Sequence, residues 1–183
     1  MAFVVGTLTL VQISVAQVFV EVFRFTGLDQ AGDPLYVMPT QGRDGKLYGT
    51  LFGPFSGGAT FRVSTGGQGS ILYGFDGGQG SQPSAGLMLA TNGNFYGTTQ
   101  YGGSANLGVL FKMTPRGVLT VLHEFAGGGD GAQPTAPPIE GADGNFYGTT
   151  GGDPKTPATV YQYTHRAVSQ RSTSSIKRVG NTG

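Results

Sequence analysis

The chain reads as all-β, built from propeller-like blades of four antiparallel strands in a repeat of about fifty residues. Three observations predict this. First, a short segment recurs as Leu47-Tyr48-Gly49-Thr50, Phe95-Tyr96-Gly97-Thr98 and Phe146-Tyr147-Gly148-Thr149. Second, single positions recur at intervals of 50: Phe25, Phe75 and Phe125, then Phe61, Phe111 and Tyr161. Third, no window of eleven or more residues carries helical periodicity, while short apolar runs alternate with Gly-rich turns. A period of this size marks a repeat architecture, and four short strands in each copy match the arithmetic of a blade. A β-solenoid is the alternative, although its coils are usually shorter and lack regular hairpin turns.

The elements follow in order. Residues 6–25 match the back half of a repeat and form a half unit. Full units are expected at about 26–75, 76–125 and 126–163, so that 1–163 is one repeat domain. The first strand of each unit is the apolar run Leu35–Met38, Gly86–Ala90 or Pro138–Glu140. The second is the Tyr-Gly-Thr segment. Between them Asp44-Gly45, Asn92-Gly93 and Asp143-Gly144 read as two-residue hairpin turns. The third strand ends at Phe61-Arg62-Val63, Phe111-Lys112-Met113 or Tyr161-Gln162-Tyr163, alternating as a strand with one buried face should. The fourth is Ile71–Phe75 or Val118–Phe125, entered in the second unit through Thr114-Pro115-Arg116-Gly117, a type I turn. In the third unit this strand should fall at Val168–Ser175, which has no apolar face, and 164–183 reads as an irregular tail. The count is therefore fractional: a surplus half unit at one end, a missing strand at the other. That is a partial propeller.

Composition narrows function. Gly supplies 34 of 183 residues, far above the usual ~7%, and clusters where turns need it. Charged residues are 11% and the net charge is +1, so no field draws nucleic acid or anionic lipid. The absence of Cys excludes disulfides, Cys-ligated zinc and thiol catalysis. The absence of Trp speaks against WD40 and kelch blades. Residues 1–16 are apolar and uncharged and end in Ser14-Val15-Ala16, as a signal peptide might be processed, yet no Lys or Arg precedes them and they fit the repeat. They are too short and too polar to span a membrane.

The run Phe95-Tyr96-Gly97-Thr98-Thr99, a Gly-rich loop, then Val109-Leu110-Phe111-Lys112-Met113-Thr114-Pro115 and on to Phe125 resembles the GloVer tandem repeat of bacterial proteins. The match is close over 86–150 and looser over 19–85. The resemblance implies a repeat architecture and an extracellular or bacterial cell-surface setting. It brings no catalytic residues, because the family is defined by its repeat. Many members carry a Cys pair after the position of Phe125, which is absent in Ala126–Gly131.

Candidate chemistry is sparse. Tyr48, Tyr96 and Tyr147 suit a sugar-stacking ring, but a residue recurring in every unit more often packs against the next unit. Asp44, Asn92 and Asp143 precede Gly at turn spacing and read as turn residues rather than calcium ligands. His123 occupies a position held by Phe23 and Tyr73, and reads as structural. The carboxylate pairs Glu124 with Asp130 and Glu140 with Asp143 do not recur. Loops carry function more often than scaffolds do. Gln100, Tyr101, Asn106 and Asp130 are therefore the expected ligand contacts, with no catalytic residue, metal or cofactor. The expected function is a non-catalytic extracellular repeat protein acting in self-assembly, adhesion or as a scaffold. Open strand edges pair with other chains. The half unit at 6–25 and the strand-deficient unit at 136–163 are complementary, so one could complete the other within a chain or head to tail between chains. A carbohydrate-binding propeller with a glycan partner is the alternative, and a polysaccharide-active enzyme the third reading. Neither nucleic-acid binding nor membrane insertion is expected.

Overall fold

The structure is a computed structural model describing residues 21–25, 37–53, 57–83, 85–152, 156–164 and 175–178. Residues 6–20 of the half unit, and Leu35 and Tyr36 of the first expected strand, lie outside the described residues.

Three separate four-stranded antiparallel sheets make up the chain, each ordered as the chain runs. The first contains β1 (Thr40–Gln41), β2 (Leu47–Leu51), β3 (Ala59–Val63) and β4 (Gly69–Gly74). The second contains β5 (Met88–Leu89), β6 (Phe95–Thr99), β7 (Val109–Met113) and β8 (Leu119–Glu124). The third contains β9 (Ile139–Glu140), β10 (Phe146–Thr150), β11 (Thr159–Thr164) and β12 (Ser175–Arg178). The sheets do not close into a ring. This is a partial β-propeller.

Two expected boundaries move. The first strand of the first sheet is Thr40–Gln41, not the apolar run ending at Met38, which is 83% exposed. The third sheet has its fourth strand after all, taken from within the segment expected to be irregular. It sits out of the repeat's register. Phe61 faces Ile71 and Phe111 faces Val121, so the repeat would put Arg171 opposite Tyr161; Arg178 is there instead. β12 therefore covers the β11 edge only from Tyr161 to Thr164. The β11 residues Thr159 and Val160 have no β12 partner, whereas Ala59 and Thr60 face Gly74 and Tyr73, and Val109 and Leu110 face Glu124 and His123.

The hairpin turns are longer than the sequence suggests. Gly45 N donates to Gly42 O and Gly42 N to Lys46 O, closing a three-residue loop in which Gly45 alone has positive φ, +75°. Gly93 and Gly144 repeat this at +80° and +75°. This is a type I turn followed by a left-handed glycine. The preceding Asp44, Asn92 and Asp143 stay right-handed and accept the N–H of Lys46, Asn94 and Asn145.

The cores lie between sheets. Tyr48 and Phe75 of the first unit pack with Leu87, Phe95, Phe111 and Met113 of the second. Tyr96, Leu110 and Phe125 of the second pack with Phe146, Tyr161 and Tyr163 of the third. β3 and β7 are consequently covered on both faces: Thr60 and Leu110, on the side expected to face solvent, are as buried as Phe61 and Phe111.

Every residue of the Tyr-Gly-Thr motif has a packing duty. The Tyr48 ring meets Phe95 of the next sheet at 4.2 Å between centroids, and Tyr96 meets Phe146 at 4.2 Å. The glycine lies opposite Phe61, Phe111 or Tyr161 and leaves space for that ring. Thr50 Oγ1 donates to Ala85 O at 2.7 Å and Thr98 Oγ1 to Ala136 O at 3.0 Å, each reaching into the following unit.

Residues 21–25 take the place of a fourth strand in a sheet preceding the first. Phe25 meets Phe61 at 4.8 Å, as Phe75 meets Phe111 at 5.4 Å and Phe125 meets Tyr161 at 5.3 Å. Phe23 stands edge-on to Phe25 as Tyr73 does to Phe75 and His123 to Phe125. A Cβ on Gly67 would lie 3.2 Å from Val22 O, and one on Gly117 2.9 Å from Leu72 O.

Candidate functional site

The expected ligand contacts have their polar groups engaged within the fold. Gln100 N donates to Gln82 O at 3.0 Å, and Tyr101 exchanges backbone hydrogen bonds with Ser81. Asn106 holds φ +54° and its Oδ1 accepts from Gly102 N at 2.9 Å, so it shapes the loop. Asp130 accepts from Ala126 N at 2.7 Å and pairs with His123 Nε2 at 2.9 Å, on a different loop from the other three. The structure therefore splits the expected set. The carboxylate pairs are likewise committed: Glu124 accepts from Ser104 N, Glu140 from Thr91 N and Oγ1, and Asp143 from Tyr147 and Asn145. Among the described residues no three His, Cys, Asp or Glu side chains come together as a metal site.

A different feature stands out: the side of the third sheet that would face a next unit. In the first two sheets this side is covered. Tyr48, Thr50 and Thr60 are at most 1% exposed, and Tyr96, Thr98 and Leu110 at most 3%. Their counterparts are Tyr147, Thr149 and Val160. Tyr147 is half-buried, Thr149 exposed and Val160 51% exposed. Ile139, which faces Tyr147 across β9 and β10, is 66% exposed, whereas its counterpart Met88 packs against the second inter-sheet core. The register places all four on one face, since alternate residues share a side.

The polar part of this face is preorganised. Tyr147 Oη donates to Asp143 Oδ2 at 2.7 Å and accepts from Gln162 Nε2 at 2.9 Å. The bond to Asp143 raises the phenol above its ordinary range and, with help from Asn145, holds the Asp143 carboxyl below its own. The ring is thus fixed in the posture by which Tyr48 and Tyr96 receive a neighbouring ring, since their hydroxyls also bond to Asp44 and Asn92. The face offers a rigid aromatic ring, two aliphatic side chains and an unspent hydroxyl. That is binding chemistry for another sheet rather than for proton transfer.

The sequence does not single out these residues, because repeat counting treats Tyr147, Thr149 and Val160 as equal to their buried counterparts. The only available signal is Ser175, which stands where Phe125 should recur.

The Gloeobacter/Verrucomicrobia repeat model matches residues 5–181. The chain belongs to this repeat family. No curated protein compared with it matches in sequence. Among solved structures, a protein assigned as a gluconolactonase is similar to this repeat chain at 17% identity and a TM-score of 0.54. The alignment covers 77% of the repeat chain and 48% of that structure, so the chain spans about half its length. At this identity the likeness concerns the fold, that of a β-propeller.

Proposed function

We propose that this member of the Gloeobacter/Verrucomicrobia repeat family is a non-catalytic scaffold that works by self-assembly, outside the cell or at its surface. One observation carries the reading: the face of the third sheet bearing Ile139, Tyr147, Thr149 and Val160 is open, while the same face of the first two sheets is an interface. A surface that buries apolar rings in two of three copies is built to be covered. Sedimentation at rising concentration tests this. Wild type should gain mass, and Val160→Asp, at a half-exposed site, should keep its circular dichroism and stay monomeric. A wild type that remains monomeric at every concentration rules the reading out.

A sugar-directed role is the second reading, favoured by the neighbour's assignment as a gluconolactonase. It would place a glycan at the Gly-rich loop carrying Tyr101, whose ring is partly exposed. A glycan array with Tyr101→Ala as control, and an assay for lactone hydrolysis, separate it from the scaffold reading.

A further inference from the structure

We infer that the occupant of the open face is a second copy of this chain, docked head to tail. In this arrangement Phe23, Arg24 and Phe25 of one copy extend the third sheet of the other beside Thr159 and Val160. This rests on the self-assembly reading and adds the partner, the surface and the register.

Two incomplete features point to it. At the start of the described chain, residues 21–25 pack on the first sheet as 71–75 pack on the second. Residues 71–75 also pair within their own sheet: Tyr73 faces Thr60, Gly74 faces Ala59, and Phe75 N donates to Gly58 O at 2.9 Å. In the second sheet His123 faces Leu110, Glu124 faces Val109, and Phe125 N donates to Gly108 O at 2.9 Å. Among the described residues, 21–25 have no such strand partner. At the other end, β12 is displaced and leaves Thr159 and Val160 unpaired on its side of β11. One end therefore offers a strand without an edge, and the other an edge without a strand. Backbone N–H and C=O groups on such an edge favour pairing.

The repeat fixes the register. Applied to the junction, it sets Phe23 opposite Val160 and Arg24 opposite Thr159, with Phe25 N directed at Ala158 O. β12 need not move, because it begins pairing at Tyr161. The docked copy then brings its first sheet over the open face. Tyr147 would lie against Leu47, at the position where Tyr48 meets Phe95 and Tyr96 meets Phe146.

Geometry favours two copies over self-closure. Three sheets are fewer than the four of the smallest usual closed propellers, whereas two copies bring twice three, within the usual range of about four to eight. The chain also spans 48% of a propeller-type structure. A head-to-tail contact gives a ring if its rotation closes, and here two identical junctions close it.

The test uses a chain that contains no cysteine. Phe23→Cys combined with Val160→Cys places thiols on directly opposed strand residues, whose Cα separation of about 4.5–5.5 Å is within disulfide range. After oxidation, non-reducing electrophoresis and light scattering should give a covalent dimer of twice the 18.9-kDa chain. Each single variant alone should give none. A monomer carrying an intrachain bond overturns the second copy as occupant, and a ladder of higher species overturns the two-copy ring. If wild type assembles but the pair does not cross-link, this junction is wrong and self-assembly stands. If wild type is monomeric, both fall. Should the double variant fold poorly, Val160→Asp in wild type gives the second reading: loss of the dimer with unchanged circular dichroism supports the junction, and a persisting dimer overturns it.

Discussion

Gly97 lies beneath the ring of Phe111: a Cβ added to the glycine would stand 2.6 Å from Phe111 Cζ and 2.9 Å from Leu87 Cδ2. The ring is wholly buried and has nowhere to retreat. Gly97→Ala should therefore cost about 1–3 kcal/mol through overpacking. Gly45→Ala is the contrasting case, since its added methyl meets nothing within 4 Å but must adopt φ +75°. Its cost, about 1–2 kcal/mol, is backbone strain, and Gly45→Asn should recover part of it because Asn tolerates that region. Urea denaturation of the three variants checks this. Equal stability of Gly97→Ala and wild type would contradict the ring contact.

Tyr161 replaces a phenylalanine of the other two sheets and is 1% exposed. Its hydroxyl is the buried side-chain polar atom without a hydrogen-bond partner, and burial raises the phenol well above its ordinary range. An unsatisfied buried hydroxyl costs about 1–3 kcal/mol. Tyr161→Phe should recover much of that and raise the denaturation midpoint, keeping the packing on Phe125 and Gly148. A lower midpoint would mean that the hydroxyl has a partner in solution.

Much of this fold was legible in the sequence because the repeat displays its own packing. Phe25, Phe75 and Phe125 recur because each seats on the aromatic 36 positions later, and the motif tyrosines recur because each stacks on the next unit. The strand at Ser175–Arg178 was not legible: it pairs outside the repeat's register and without the repeat's apolar pattern, so tertiary pairing overrides local propensity there. The loop residues Gln100, Tyr101, Asn106 and Asp130 were legible as unusual but not as structural. Sequence shows a polar side chain in a loop and not whether the loop's own backbone consumes it. The open face was hidden for the opposite reason: its residues are ordinary, and only their position at the end of the stack distinguishes them.

Three carboxylates should make the chain acid-sensitive. Hydrogen bonds from Ser104 to Glu124, from Thr91 to Glu140 and from Tyr147 to Asp143 each hold the carboxyl below its ordinary range. A depressed folded value gives stability that is present above the unfolded value and lost as pH falls through the folded one. The urea midpoint should thus hold steady near neutrality and decline as pH drops below about 4.3. Glu140→Gln should flatten part of that decline, since Glu140 ties the third sheet to Thr91 of the second. All three groups are close to solvent, so each individual effect should be small. A midpoint unchanged from pH 7 to pH 3 would sink this account.

Thr98 and Thr149 hold the same place in their units yet should respond differently to the same change. Thr98 Oγ1 donates to Ala136 O in the next unit and the residue is 1% exposed, whereas Thr149 is exposed with no following unit among the described residues. Thr98→Val keeps the shape, removes the donor and leaves a carbonyl unsatisfied, at a cost of about 1–2 kcal/mol. Thr149→Val should change the stability of the dilute monomer by less than about 0.5 kcal/mol. If a second copy covers this face, Thr149 acquires the role Thr98 already has. Thr149→Val should then lower the denaturation midpoint at high protein concentration, where the assembled form dominates, and not at low concentration. Equal midpoints at both concentrations would leave Thr149 without an interface, and equal losses for Thr98→Val and Thr149→Val at low concentration would mean that the face is already covered within one chain.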